Sequence, residues 1–270
     1  MSSQPTYNRF ISTLPDMHKL GEEMRDLTRE GPAFALTREA VGTQGELTVF
    51  ARAPQTLPEW FARADAFPSR AFLVLGETSF TYADARAEAN WLARGLQTKF
   101  NIHPGDKIGI CARNSPEWVI SFMAVQLCGA VAVLLNSWWT ADELAYGLSD
   151  SGAKLLLCDA ERDTLAAAHC DANGVQRLCI RHRFEPSQTY TDLVNAFRGM
   201  PALPSHRTAD DDATILYTSG STGYPKGVLS AHRGVISALY SWSLVARGVV
   251  GLMTELPVFK DGQEVILLPV

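Results

Sequence analysis

From Ala71 onward the chain alternates between two hydrophobic rhythms. Ala71–Leu75 is a short apolar run that reads as a strand, and Ser79–Thr81 reads as a second. Tyr82–Thr98 then changes period: Ala85, Ala89, Leu92 and Leu96 recur three and four residues apart, as on one face of an amphipathic helix. His103-Pro104-Gly105-Asp106 marks a turn before the strand Lys107–Cys111. Pro116 suits the first turn of a helix that runs to about Gly129. Ala130–Leu135 is apolar at every position, which predicts a strand buried on both faces of a sheet. Thr140 and Glu143 have the spacing of a capping box ahead of a helix over Ala141–Asp150. The strand Lys154–Cys158, the helix Glu161–Cys170 and the strand Arg177–Ile180 continue the pattern.

Short strands separated by helices of ten to seventeen residues predict βαβ units, hence an α/β fold with a mainly parallel sheet and flanking helices. The first 56 residues read as an irregular arm, with one charged helix over Lys19–Glu30 stopped by Gly31-Pro32. Leu57–Phe61 opens a first α/β subdomain, taken as 57–200. The polar, Pro-containing run 201–212 reads as a surface linker. A new strand, Ala213–Tyr217, begins a second α/β subdomain over 213–270.

Composition narrows the function. At about 150 residues per domain, 270 residues make one large or two modest domains. The net charge of −5, with no long basic run, argues against generic nucleic-acid binding. The longest apolar runs fall far short of the ~18–20 residues of a membrane helix, and the N-terminal residues lack the apolar stretch of a secretory signal. The five cysteines, 111, 128, 158, 170 and 179, form no CxxC pair and sit in apolar or strand-like runs. They read as buried reduced thiols, which fits an intracellular, cytoplasmic chain without disulfides or zinc, an organelle signal at the C-terminus being left open.

One segment carries the chemistry. Thr218, Ser219, Gly220, Ser221, Thr222 and Gly223 are six consecutive small residues after a strand, followed closely by Lys226 in Pro-Lys-Gly. Such a loop presents backbone N–H groups and hydroxyls together, and its small side chains let a polyanion approach the backbone. With the lysine charge a few residues on, it suits a triphosphate or pyrophosphate. The spacing matches neither the Walker GxxxxGK[ST] pattern nor the kinase GxGxxG, so a P-loop kinase or GTPase is disfavoured. A self-solvating Ser/Gly linker is the bland alternative.

The segment Thr218–Val228 closely resembles the phosphate-binding signature of the adenylate-forming superfamily, which includes acyl-CoA synthetases, luciferases and peptide-synthetase adenylation domains. Phe122–Asp159 is similar to that superfamily's upstream core, and Ser79–Tyr82 with the helix around Asn90–Ala93 resembles the start of its N-terminal domain. The resemblance covers about residues 57–270. It implies the N-terminal subdomain of the adenylate-forming fold plus the start of a second subdomain. It implies an AMP-forming acid–thiol ligase: ATP and a carboxylic acid, fatty or otherwise hydrophobic, give an acyl-adenylate, and coenzyme A takes the acyl group. Thr218, Ser219, Gly220, Ser221, Thr222, Gly223 and Lys226 would hold the ATP phosphates, usually with Mg²⁺.

Members of that superfamily are longer. The aromatic-Gly-x-Thr-Glu segment for adenine and Mg²⁺, the Thr-Gly-Asp segment for ribose and the C-terminal catalytic lysine have no counterpart here. The expectation is therefore a truncated N-terminal part, inactive alone, with no catalytic residue assigned and the Mg²⁺ carboxylate outside this chain. The rival reading is a truncated gene model, or a non-catalytic remnant that binds a nucleotide or a partner through the apolar strand Val265–Val270.

Other polar groups read as structural. Tyr146-Gly147-Leu148-Ser149-Asp150 imitates aromatic-Gly-x-Thr-Glu, but it lies upstream of the loop at a helix end. Pro104-Gly105-Asp106 reads as a turn rather than a ribose clamp, and Asp210–Asp212 as a solvated linker end rather than a cation site. The histidines at 18, 103, 169, 182, 206 and 232 have no metal-ligand spacing. His232, at a helix start after the loop, reads as a cap-region residue rather than a nucleotide contact, and Trp138-Trp139 as packing rather than a pocket wall.

Overall fold

A computed structural model describes residues 17–29, 33–41, 45–181, 189–218 and 224–252. These fall into two compact units, Pro54–Val235 and the residues up to Ala53 with those from Ile236 on.

The larger unit holds a two-stranded hairpin and a six-stranded sheet. The hairpin pairs β3 (Ala71–Leu75) with β4 (Thr78–Thr81). The sheet has the order β10-β9-β6-β5-β7-β8, from β5 (Lys107–Cys111), β6 (Val131–Leu134), β7 (Leu155–Asp159), β8 (Gln176–Arg181), β9 (Asp212–Thr218) and β10 (Lys226–Ala231). All neighbours run parallel except β9 and β10. The helices are α2 (Leu57–Ala62), α3 (Tyr82–Lys99), α4 (Pro116–Leu127), α5 (Ala141–Ser151), α6 (Ala160–Asn173) and α7 (Tyr190–Ala196). The short α7 has no counterpart in the sequence reading. Run 201–212, read as a linker, lies against this unit: Gln97 and Asn90 accept from the backbone N–H groups of Leu203 and Ala202, and Arg207 donates to the Gly129 carbonyl. It delivers β9 beside β6 in the same sheet.

Successive residues of β7 explain the unbroken apolar runs. Leu155 and Leu157 join the core formed with α3, α4 and α7, whereas Leu156 and Cys158 join the core formed with α5 and α6. Adjacent side chains of a strand point to opposite faces; both faces are covered here, so no position is left for a polar residue. The capping box expected at Thr140 and Glu143 is present, and Ser115 caps α4 with Pro116 in its first turn.

The loops after three adjacent parallel strands meet at one ion pair. Asp159, at the end of β7, caps α6 by accepting from Arg162 N–H at 3.1 Å, and also accepts from Arg113 N–H, beyond β5, at 2.9 Å. The Arg162 guanidinium lies 3.3 Å from both Asp159 oxygens and donates through Nε to the Ser137 carbonyl, beyond β6, at 2.8 Å. Both side chains are buried.

The smaller unit contains α1 (Met17–Leu27), the antiparallel hairpin β1 (Leu36–Val41) and β2 (Gly45–Phe50), and the part of α8 (His232–Leu252) beyond Val235. Phe34, Phe50 and Tyr240 form an aromatic cluster, and the Tyr240 hydroxyl donates to the Arg52 carbonyl. The helix read over Lys19–Glu30 lies at Met17–Leu27 instead. The hairpin was not read, because its strands are mostly exposed and carry no clean alternation.

Candidate functional site

Strand pairing fixes the ends of the small-residue segment. β9 and β10 are antiparallel with Thr218 opposite Lys226, so the segment is the connection of a hairpin rather than a strand-to-helix turn. That geometry differs from the strand–loop–helix of a P-loop and agrees with the spacing argument. Thr218 Oγ1 donates to the Lys226 carbonyl at 3.4 Å, closing the base of the connection. Lys226 is exposed, and no carboxylate among the described residues forms an ion pair with it. Of the proposed phosphate-binding residues, Thr218 and Lys226 are therefore brought together; Ser219, Gly220, Ser221, Thr222 and Gly223 lie outside the described residues.

Both flanks of the connection meet α5. The Tyr217 hydroxyl lies 2.7 Å from Asp150 Oδ2 and 3.2 Å from the Gly147 carbonyl, and the Trp139 ring meets Tyr217 edge-on at 5.4 Å. Tyr224 stacks on Tyr146 at 4.8 Å. The sequence reading dismissed Tyr146–Asp150 as a metal segment, and here those residues serve as a packing surface. What it missed is their proximity to the loop, a relation spanning about 70 residues of chain that no local pattern encodes. The tryptophan pair divides: Trp139 packs as expected, but Trp138 is 74% exposed, with the Arg113 guanidinium 3.5 Å above its ring.

The remaining polar candidates have structural partners. Asp106 accepts from His103 N–H at 2.8 Å and Lys154 Nζ at 2.9 Å; burial opposes ionisation, but these donors hold its carboxyl below the usual range. Asp210 pairs with Arg233, and Asp211 accepts from Thr208 N–H; these bonds lower both carboxyl pKa values. The run is thus partly tied down rather than merely solvated. Among the described residues no three His, Cys, Asp or Glu side chains converge to hold a metal ion. All five cysteines are buried thiols outside any disulfide; burial pushes the Cys111 thiol up to about 12 and raises the others. His182 and Val265–Val270 lie outside the described residues.

His232 holds a buried structural position. Its Nδ1 accepts from the Leu57 N–H at 3.2 Å, within the first turn of α2. Burial first, and Arg207 second, lower its pKa, against weaker support from Asp211 and Glu59. Protonation would also remove the acceptor for Leu57. A histidine depressed in the folded state contributes stability above its unfolded pKa of about 6.5, and this is lost as pH falls toward the folded value. The stability gap between the parent protein and His232→Ala should therefore narrow between pH 7.5 and 5.5 in urea melts. Parallel curves would contradict this assignment.

No helix among the described residues is long and apolar enough to cross a membrane. Comparison with known proteins gives the family. The chain is 35% identical over 178 residues to the medium/long-chain-fatty-acid–CoA ligase FadD6 of Mycobacterium tuberculosis, covering 66% of this chain and 29% of that protein. It is 30% identical to 4-coumarate–CoA ligase 2 of Nicotiana tabacum, covering 77% of this chain and 38% of the relative. A crystal structure from Rhodopseudomonas palustris, assigned provisionally as a long-chain-fatty-acid CoA ligase, superposes with a TM-score of 0.64 at 26% identity, covering 71% of this chain and 48% of that one. The chain thus spans less than half the length of these relatives. The model of the family described as AMP-binding enzyme matches residues 60–269, which include the β9–β10 connection, and the chain belongs to that family.

Proposed function

We propose that the β9–β10 connection grips the phosphates of ATP, and that the protein serves an AMP-forming acid–CoA ligase. In that reaction a carboxylate oxygen attacks the α-phosphorus of ATP and the bond to the bridging oxygen breaks, giving acyl-adenylate and pyrophosphate. A coenzyme A thiol then takes the acyl group and AMP leaves. The observation that carries the reading is the pairing of Thr218 with Lys226 at the base of the connection, with the ammonium exposed beside it. A leaving pyrophosphate needs charge neutralisation and positioning more than a protein nucleophile, and a lysine with backbone donors supplies both. The fatty and coumarate ligases among its relatives support a hydrophobic acid as substrate.

The expected result is that the 270-residue protein binds ATP and that Lys226→Ala weakens binding about ten- to hundredfold, as for loss of a charge-assisted hydrogen bond. Equal affinity in titration calorimetry would exclude the phosphate role of Lys226. Pyrophosphate exchange with hydrophobic acids should be negligible in these 270 residues alone; turnover near that of an intact ligase would refute this part. Mg²⁺ would arrive with the ATP phosphates.

A second reading, binding without catalysis, is favoured by one observation. Leu216 on β9 and Val228 opposite it on the edge strand β10 are each about half exposed. Apolar side chains there invite further chain or a partner. The buried thiols support a reducing, cytoplasmic setting.

A further inference from the structure

One helical turn of α5 touches the residue before the phosphate connection and a residue near its end. We propose that this turn, through Tyr146, Gly147 and Asp150, positions the connection for the phosphates, with Tyr217 and Tyr224 as its two anchors. The inference rests on the phosphate reading above and adds positioning residues to it.

The Tyr217 hydroxyl donates its single proton to Asp150 Oδ2 at 2.7 Å, with the Gly147 carbonyl at 3.2 Å as a longer second acceptor. Burial, then Asp150, raise the phenol pKa, so it remains a donor through the working pH range. Two glycines make room for this arrangement. A Cβ at Gly147 would lie 2.6 Å from the Trp139 ring, which itself braces Tyr217. A Cβ at Gly227, opposite Tyr217 across the hairpin, would lie 3.2 Å from the tyrosine ring. At the far flank, Tyr224 is 67% exposed, yet its ring stacks on Tyr146 at 4.8 Å with the planes 27° apart. The hydrogen bond and the stack come from residues four apart on α5, which lie on one side of a helix. Holding both flanks of a short connection reduces the conformational freedom lost when an anion binds, which is how preorganisation contributes affinity.

The test uses the 270-residue protein with inorganic tripolyphosphate and ATP as probes, and hydrogen exchange of the peptide spanning 218–226. Tyr217→Phe keeps the ring and removes the donor; Tyr224→Ala removes the stack. Each should weaken both probes about three- to tenfold and speed exchange in that peptide, while exchange in β7 stays unchanged. Tyr224→Phe, which keeps the ring, should recover the affinity that Tyr224→Ala loses. Unchanged affinity in Tyr217→Phe and Tyr224→Ala, or weaker affinity with unchanged exchange, would overturn the proposal. If the parent binds neither probe, the phosphate reading fails instead, and exchange alone decides: faster exchange in the two variants supports the anchoring, and unchanged exchange sinks it.

Discussion

Replacing Arg162 with Met should destabilise the protein by about 3 kcal/mol, a low value for a broken buried pair. Asp159 keeps two backbone donors, Arg113 N–H and Arg162 N–H, so its carboxylate is not stripped bare. The larger losses are the buried counter-charge and the acceptor role of the Ser137 carbonyl, which receives Arg162 Nε. Adding Asp159→Asn should recover part of the deficit, because asparagine carries no charge to leave unpaired and still caps α6 through its oxygen, while its amide NH2 cannot accept from Arg113 N–H and so limits the recovery. Urea melts check both variants: the midpoint should drop with an unchanged slope in the single variant and rise again in the double. Equal stability of parent and Arg162→Met would mean that the pair does not hold the three strand ends together.

The Gly95–Leu193 contact between α3 and α7 should give the second large effect. A Cβ at Gly95 would sit 2.4 Å from Leu193 Cγ and 2.8 Å from both of its methyls. Gly95→Ala therefore overpacks a buried seam and should lower stability by about 1–3 kcal/mol, despite the better helix propensity of alanine. Leu193→Ala empties a fully buried site and should cost about 2–5 kcal/mol. The two effects should not add. In the double variant the new methyl enters the vacated space, so its deficit should be smaller than the sum by at least about 1 kcal/mol. Thermal melts of the four proteins measure this coupling, and additive losses would show that the helices separate rather than share the space.

The sheet was legible because its strands are buried on both sides. Leu155–Cys158 could be read from the sequence alone, since each residue meets one of two apolar cores. Helix starts were equally plain where a side chain does the capping, as at Thr140 and Ser115. The β1–β2 hairpin was not legible: most of its positions are exposed, and the few that pack, Val41, Val49 and Phe50, follow no clean alternation along the strands. At the candidate site, the Gly, Ser and Thr concentrated in 218–223 with Lys226 close behind are what the proposed anion chemistry rests on, and they are plain in the sequence. The supporting turn at Tyr146–Asp150 was read only as a helix end, since its relevance depends on a tertiary contact with Tyr217 and Tyr224. His232 shows the same limit, as its partner Leu57 is 175 residues away.

The antiparallel pairing of β9 with β10 also sets where the chain can change length. Slipping one strand against the other by a single residue would turn every side chain of the moved strand over, sending the lysine ammonium toward the face that carries Ile215 and Tyr217. Insertions or deletions within either strand would thus turn Lys226 away from Thr218's face without touching any residue of the connection. A homologue with a longer or shorter bridge between intact strands keeps that orientation.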